Sequence, residues 1–111
     1  MDINQRPTNH LLSNFEDITE DMLRICRAKN SDYSGASPDP YQNFSQVERL
    51  GICKVEQGFL TRMTDKLCRI SSLVKKGSAE VKDESIEDTL IDLANYSIIM
   101  LCYLRSKKEE K

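Results

Sequence analysis

The chain has 111 residues, which is enough for one domain of ordinary size and too few for two complete domains. Its formal charge of −2 excludes a general nucleic-acid binder, although a local basic patch for a phosphorylated ligand stays possible. We expect a cytoplasmic protein with no membrane partner, because no apolar run approaches the roughly 20 residues of a membrane span and residues 1–8 lack the apolar segment of a secretory signal.

The first helix is predicted from a capping box and an apolar stripe. Ser13 and Glu16 stand at the spacing at which each side chain bonds the backbone N–H of the other residue. The helix is therefore expected to begin here, after a frayed segment over residues 1–12, and to end near Lys29. Its apolar stripe consists of Phe15, Ile18, Met22 and Ile25.

Residues 30–44 are dense in turn-forming residues and are predicted to form a loop that covers a ligand. A short helix follows this loop, with Asn43 as its N-cap. It ends near Gly51, because glycine suits the left-handed position after a helix.

The second long helix is predicted over residues 54–76, where Gly77 ends it. The predicted buried stripe consists of Phe59, Met63, Leu67, Ile70 and Val74. A cationic row of Arg62, Lys66 and Arg69 is expected on the opposite side. Such a row either clamps phosphates or is an ordinary solvated face.

The third long helix is predicted over residues 84–105, before a charged tail over 106–111. Ile86, Leu90, Leu93 and Ala94 are expected to face inward. Residues 96–104 are apolar nearly all round, which is typical of a central helix or of an oligomer interface. The expected architecture is all-α: a single domain over 1–111, built as a bundle of three long helices plus a short helix, which forms a homo-oligomer.

Acidic residues crowd the start of this third helix. Glu84, Asp88 and Asp92 are four residues apart and share one face, and Glu87 lies beside them. Several oxygen ligands on one face suit Mg²⁺. The alternative is that acidic residues favour helix N-termini, but this explains Asp92, two turns into the helix, poorly. Asn95 and Tyr96 extend the same face.

Three of the seven aromatic residues lie in or just after the predicted loop. Tyr33, Tyr41 and Phe44 are candidates for stacking on a nucleobase, and Asp32 is a candidate for bonding to the base or the ribose. The alternative is that these rings cover the helical core.

Three segments, residues 29–34, 62–70 and 81–96, resemble the family called nucleotide modification associated domain 1. This family is found largely in phages and bacteria, and its pattern is similar to that of the all-α MazG-like nucleoside triphosphate pyrophosphatases. The resemblance covers about residues 15–104. It implies an all-α, MazG-like fold, a nucleotide ligand, a bacterial or phage-infected host cytoplasm, and Mg²⁺ held by acidic side chains.

The resemblance also implies site residues. Asp92 matches the aspartate of the second acidic motif of the MazG-like group, and Glu87 or Asp88 lies near its glutamate, although the position three before Asp92 is Thr89. The first motif, Glu-x-x-Glu on the preceding helix, is absent. The predicted catalytic residues are Asp88 and Asp92, and the predicted metal ligands are Asp65, Glu84, Glu87, Asp88 and Asp92. The predicted ligand-binding residues are Asp32, Tyr33, Tyr41, Phe44, Arg62, Lys66, Arg69, Asn95 and Tyr96.

Three functions are compatible with these residues. The first is Mg²⁺-dependent pyrophosphohydrolysis of a nucleoside triphosphate. The second is a non-catalytic phage protein that binds and sequesters a nucleotide, such as a host immune signalling nucleotide, and the missing first acidic motif favours it. The third is a helical interaction module whose charged faces are ordinary surface.

Overall fold

The computed structural model describes residues 5–34, 39–76 and 85–109, with side chains for 9–30, 39–76 and 86–109. This part of the chain forms helices and contains no strand, which confirms the all-α class. The helices are α1 (Gln5–Ser34), α2 (Gln42–Arg49), α3 (Val55–Lys76) and α4 (Ser85–Glu109). Three long helices and one short helix thus follow in the predicted order. None of the described helices is long and apolar enough to cross a membrane.

Helix α1 is longer than the sequence pattern predicts at both ends. It begins at Gln5 and not at Ser13, so the predicted frayed segment is mostly helical and the capping box lies inside the helix. Pro7 is compatible with this start, because backbone N–H groups of the first turn have no acceptor within the helix. At the other end, α1 continues to Ser34 and takes in the first residues of the predicted 30–44 loop.

Helix α2 is held at its start by an aspartate. The N-cap is Tyr41, whose side chain makes no capping bond. Asp39 Oδ1 accepts the Tyr41 N–H at 2.8 Å, and its Oδ2 accepts hydrogen bonds from Ser45 at 3.0 Å and from Arg49 at 2.9 Å. The prediction of Asn43 as N-cap is therefore wrong, because Asp39 already anchors this turn.

The end of α2 is as predicted. Gly51 has φ 76°, a left-handed conformation that glycine adopts without a steric penalty. Its N–H donates to the Glu48 carbonyl at 3.0 Å, and the Ile52 N–H donates to the Val47 carbonyl at 2.9 Å. These two bonds form a Schellman motif, which ends the helix and turns the chain towards α3.

The core lies where α2, α3 and α4 meet. Phe59 of α3 is only 1% exposed and stacks on Phe44 of α2, with ring centroids 4.7 Å apart. Val55 completes the buried cluster. The side chains that pack against it from α4 are Tyr96, Ile99, Met100 and Tyr103. Four α4 side chains spaced by three, one and three residues thus define the inner face of that helix.

The inner face of α3 differs from the predicted one. Leu67 and Val74 are exposed, whereas the cationic residues Arg62 and Lys66 are partly buried. The positions explain this, since Arg62 and Lys66 stand three and seven residues after Phe59 and so share its face. Their long aliphatic stems pack while their charged ends reach polar groups. On α4, Thr89 is buried in place of the predicted Leu90.

Helix α1 contacts α4 with its second half. Ile18 and Met22 line a groove with Leu90, Ile91 and Ala94 of α4. Further along α1, Cys26 and Lys29 line a cavity with residues that also stand further along α4, namely Asn95, Tyr96 and Ile99. The two helices therefore run in the same direction, and α4 covers only the later turns of α1.

Two substitutions in α3 test its inner face. Phe59→Ala removes the central ring of the core and should lower the free energy of unfolding by about 3–5 kcal/mol. Leu67→Ala, on the exposed face, should change it by no more than about 0.5 kcal/mol. Urea denaturation followed by circular dichroism measures both values, and equal losses would contradict the observed packing.

Candidate functional site

Asp92 lies at the junction of three helices and faces two lysines. Its Oδ1 is 3.6 Å from Lys29 Nζ of α1, and its Oδ2 is 3.2 Å from Lys66 Nζ of α3. The Asp92 side chain is 29% exposed, so water still reaches the group. Two ammonium groups thus converge on a single carboxylate, and the cluster carries one excess positive charge.

The register of the helices produces this cluster. Lys66 stands two turns after Phe59 on the inner face of α3, and Asp92 stands one turn before Tyr96 on α4. Because Phe59 and Tyr96 both belong to the core, their packing brings Lys66 opposite Asp92. Half-exposed ion pairs contribute only about 0.2–1 kcal/mol each to stability. The positions of the lysines are therefore determined by the packing of the core, and the ion pairs add little to it.

One cavity is lined by Lys29 and Asp92 of the cluster, and a second cavity lies beside the first. The first, of ≈ 20 Å³, is large enough for about one water molecule. It is lined by Cys26, Lys29, Asp92, Asn95, Tyr96 and Ile99. The second, of ≈ 170 Å³, is lined by Cys26, Asn30, Pro40, Tyr41, Phe44, Ile99 and Cys102. Cys26 and Ile99 line both cavities, which are therefore neighbours. We call the pair of cavities the groove, with the first cavity as its charged end and the second as its mainly apolar end.

Arg62 acts as a structural clamp beside this groove. Its guanidinium carbon lies 4.7 Å from the centroid of the Phe44 ring and 5.9 Å from that of Tyr96. One of its N–H groups donates to the Asn43 carbonyl at 3.2 Å. The guanidinium therefore ties α3 to α2 and α4 through cation–π contacts and a hydrogen bond.

Phe44 and Tyr41 are built into the core side of the second cavity. Phe44 is buried and its ring contacts both the Phe59 ring and the Arg62 guanidinium. Tyr41 packs edge-on against Tyr103 at 5.5 Å. Burial raises the pKa of the Tyr41 hydroxyl above its ordinary value, the nearby Cys102 acts in the same direction, and a hydrogen bond with Ser106 acts against it. This hydroxyl stays protonated at neutral pH.

The predicted site residues separate into three groups. The predicted residues that line the groove are Tyr41, Phe44, Asp92, Asn95 and Tyr96. Lys66 reaches the groove only through its ion pair with Asp92, and Arg62 lies beside Phe44 and Tyr96. Those on the exposed surface are Asp65, Arg69, Glu87 and Asp88. Asp32 and Tyr33 belong to the last turns of α1, but their side chains lie outside the described residues, and so does Glu84.

The acidic side chains do not assemble into a metal site in the part of the chain that is described. Within it, no three His, Cys, Asp or Glu side chains are grouped to hold a metal ion. Both Asp92 oxygens face ammonium groups, and Glu87 lines the groove of Ile18 and Met22 instead. The geometry around Asp92 thus does not fit a bound Mg²⁺, and the ion stays a prediction from the sequence.

Lys29 and Cys26 are the site residues that the sequence analysis missed. Both follow Met22 on the same face of α1, at spacings of seven and four residues. The signal was available in this periodicity. The periodicity was overlooked because α1 was expected to end at Lys29, and the last residue of a helix is not held on a particular side of it.

Arg62 and Arg69 provide a matched pair of substitutions on α3. Arg62→Ala removes the cation–π contacts and the bond to the Asn43 carbonyl, and should lower the free energy of unfolding by about 1–2 kcal/mol. Arg69→Ala, on the exposed side, should change it by no more than about 0.5 kcal/mol. Chemical denaturation measures the free energy of unfolding of both variants. An unchanged value for Arg62→Ala would show that the Arg62 contacts do not contribute to stability.

Comparisons with known proteins identify one family. The family model described as nucleotide modification associated domain 1 matches residues 29–104. The match begins at Lys29 and includes Lys66 and Asp92, so it spans the whole ion-paired cluster. No curated protein matches the chain. No solved structure matches it either.

Proposed function

The chain belongs to the nucleotide modification associated domain 1 family, and we propose that it binds a nucleotide through Lys29 and Lys66. One observation carries this proposal: two ammonium groups lie within 3.6 Å of the carboxylate of Asp92, a residue that lines the charged end of the groove. Phosphate oxygens are strong acceptors for ammonium groups. The apolar end of the same groove is suited to the nucleoside.

Asp92 serves as an internal counter-ion in this proposal. Without ligand, its carboxylate offsets the charge of Lys29 and Lys66 and keeps their ammonium groups close together. A bound phosphate competes with the carboxylate for the same N–H donors. Because the first cavity has room for about one water, the lysine side chains must swing away from Asp92 to admit the phosphate.

The nucleoside is proposed to lie along Cys26 and Ile99, which connect the two cavities. At the charged end, the Asn95 amide provides both a donor and an acceptor. At the apolar end, the protonated Tyr41 hydroxyl provides another polar contact. A small number of polar groups in an apolar groove is the usual way in which a site fixes the orientation of a ligand.

We propose that the ligand is retained and not hydrolysed. Pyrophosphohydrolysis needs Mg²⁺ to bridge the phosphates and activate a water. Helix α3 carries only Glu56 and Asp65 as acidic residues, and Asp65 and Asp88 are exposed. A protein that binds without turnover sequesters its ligand. Hydrolysis is the competing proposal, and it requires Asp92 and Asp88 to act on a metal.

We also propose that the protein works as a homo-oligomer. Helix α4 leaves Ile98, Leu101 and Leu104 exposed on the side opposite the core. Large apolar side chains in one row on a helix are usually covered by a partner.

A charge-removing pair of variants tests the binding proposal. Lys66→Gln removes one of the two phosphate donors and should weaken binding of nucleoside mono-, di- or triphosphates by about 10–100-fold, since a charged hydrogen bond contributes about 1.5–3 kcal/mol. Lys76→Gln, on the last turn of α3, should leave the affinity unchanged. Isothermal titration calorimetry in EDTA measures both, and equal affinities for the two variants would contradict the proposed site.

Asp92→Asn tests the role of the carboxylate. If Asp92 competes with phosphate for the lysines, its removal should tighten nucleotide binding several-fold in EDTA, and no pyrophosphate should be released when Mg²⁺ is added to the wild type. A loss of binding that occurs only with Mg²⁺, together with pyrophosphate release by the wild type, would instead identify Asp92 as a metal ligand of a hydrolase.

A further inference from the structure

A regular row of apolar residues lies on the outer side of α3. Spacings of three and four residues give it the seven-residue repeat of a helix that packs along another helix. The row consists of Leu60, Met63, Leu67, Ile70 and Val74. Leu60 is 54% exposed, Leu67 is 58% exposed and Val74 is 61% exposed. Much of the row is therefore uncovered, although its pattern is that of a packed surface.

This row faces away from α2. A Cβ atom placed on Gly58 would lie 2.9 Å from Val47 Cγ2, so Gly58 faces α2. Leu60 stands two residues later, and two residues correspond to about 200° around a helix. Leu60 therefore points to the side opposite α2. Leu67 and Val74 follow at intervals of seven residues, which keeps them on the same side as Leu60.

Helix α4 extends this outer side. A depression between the start of α3 and the end of α4 is lined by Glu56 together with Leu101, Leu104 and Arg105. Because Glu56 stands one turn before Leu60, the exposed leucines of the two helices lie on one surface. We call this surface the α3–α4 face. Its apolar residues are Leu60, Leu67 and Val74 of α3 and Leu101 and Leu104 of α4.

The charged side chains of central α3 point away from the α3–α4 face. Arg62 and Lys66 lie on the inner side with the core. Asp65 and Arg69 stand two residues before and two residues after Leu67, which places them on the side opposite it. The charged residues that border the face lie at its end and have both signs, since Glu56 and Arg105 line the same depression. An apolar centre with a polar rim is the usual composition of a protein–protein interface.

The chain also exposes enough surface for a stable dimer. Its accessible surface is 8397 Å², whereas a compact monomer of 12.8 kDa has about 6,300 Å². The excess of roughly 2,000 Å² is larger than the area of about 800 Å² that each partner buries in an interface of standard size. A second copy of the chain is therefore a sufficient partner for this face.

We propose that the α3–α4 face is the dimer interface and that the same face of a second copy covers it. A two-fold axis makes the contact reciprocal, so both faces are buried at once and the assembly closes as a dimer. The inference rests on the proposed homo-oligomer and adds the surface on which it forms. It uses none of the residues assigned to phosphate binding.

Glutamates placed on the α3–α4 face test the interface. One variant carries Leu60→Glu and Leu67→Glu, and a second carries Leu101→Glu. These leucines are about half exposed in the single chain, so the substitutions leave the fold intact but place unpaired carboxylates in the interface. Each variant should raise the dimer dissociation constant at least about a hundredfold, since every position occurs twice across the two-fold axis. Light scattering across a dilution series measures this constant, and circular dichroism checks the helices.

The matched control carries the same substitutions on α1. Leu12 and Leu23 are each 52% exposed, and a variant with Leu12→Glu and Leu23→Glu should dimerise as the wild type does. The nearly neutral effect expected of Leu67→Ala on unfolding applies to the single chain, at concentrations below the dissociation constant of the dimer.

Leucine methyl NMR across the same dilution series tests the face without substitutions. The methyl signals of Leu60, Leu67 and Leu101 should shift as the dimer dissociates, whereas those of Leu12 and Leu23 should stay in place. A wild-type monomer at tens of micromolar would overturn this inference together with the proposed homo-oligomer. A wild-type dimer that persists in both face variants, or one that the α1 control dissociates, would overturn the α3–α4 face alone.

Discussion

The stacking of Phe44 on Phe59 is the interaction on which the rest of the structure depends. It joins the short helix α2 to α3, and the edge of Tyr96 meets the Phe44 ring at 6.2 Å. Apolar contacts of this kind fix the axial register of two helices because a shift by one residue moves every side chain off its partner. With α3 and α4 in this register, Lys66 can only lie near Asp92. The candidate site is thus a consequence of the core.

Asp92, Lys29 and Lys66, which we call the Asp92 cluster, form weak ion pairs on helices that are held in position by the packed core. The carboxylate stands between apolar neighbours on α4, where a charge needs compensation, and two lysines from different helices supply it. Because each pair contributes little to stability, the proposed exchange of the carboxylate for a phosphate would leave the fold intact. Binding at this site is therefore compatible with a preformed arrangement of helices and mobile side-chain ends.

The sequence predicted the helical class, the order of the helices and the glycine that ends α2, because these features follow from local periodicity and capping. It also placed Asp92, Asn95 and Tyr96 on one face of α4 by their spacing, and these three residues line the first cavity. It placed Arg62 and Lys66 on the wrong side of α3, because their charge suggested solvent while their long stems allow packing. It missed Lys29, since whether α1 continues past its last apolar residue is decided by contact with α4.

The most direct measurement of the central claim is a side-chain ammonium NMR spectrum of lysine-labelled protein, recorded in EDTA with and without a nucleoside triphosphate. Resonances are assigned with single Lys→Gln variants. The account predicts that the signals of Lys29 and Lys66 shift on addition of ligand, while those of Lys75 and Lys108 stay in place. Shifts confined to lysines outside the Asp92 cluster, or no shifts at saturating nucleotide, would contradict it.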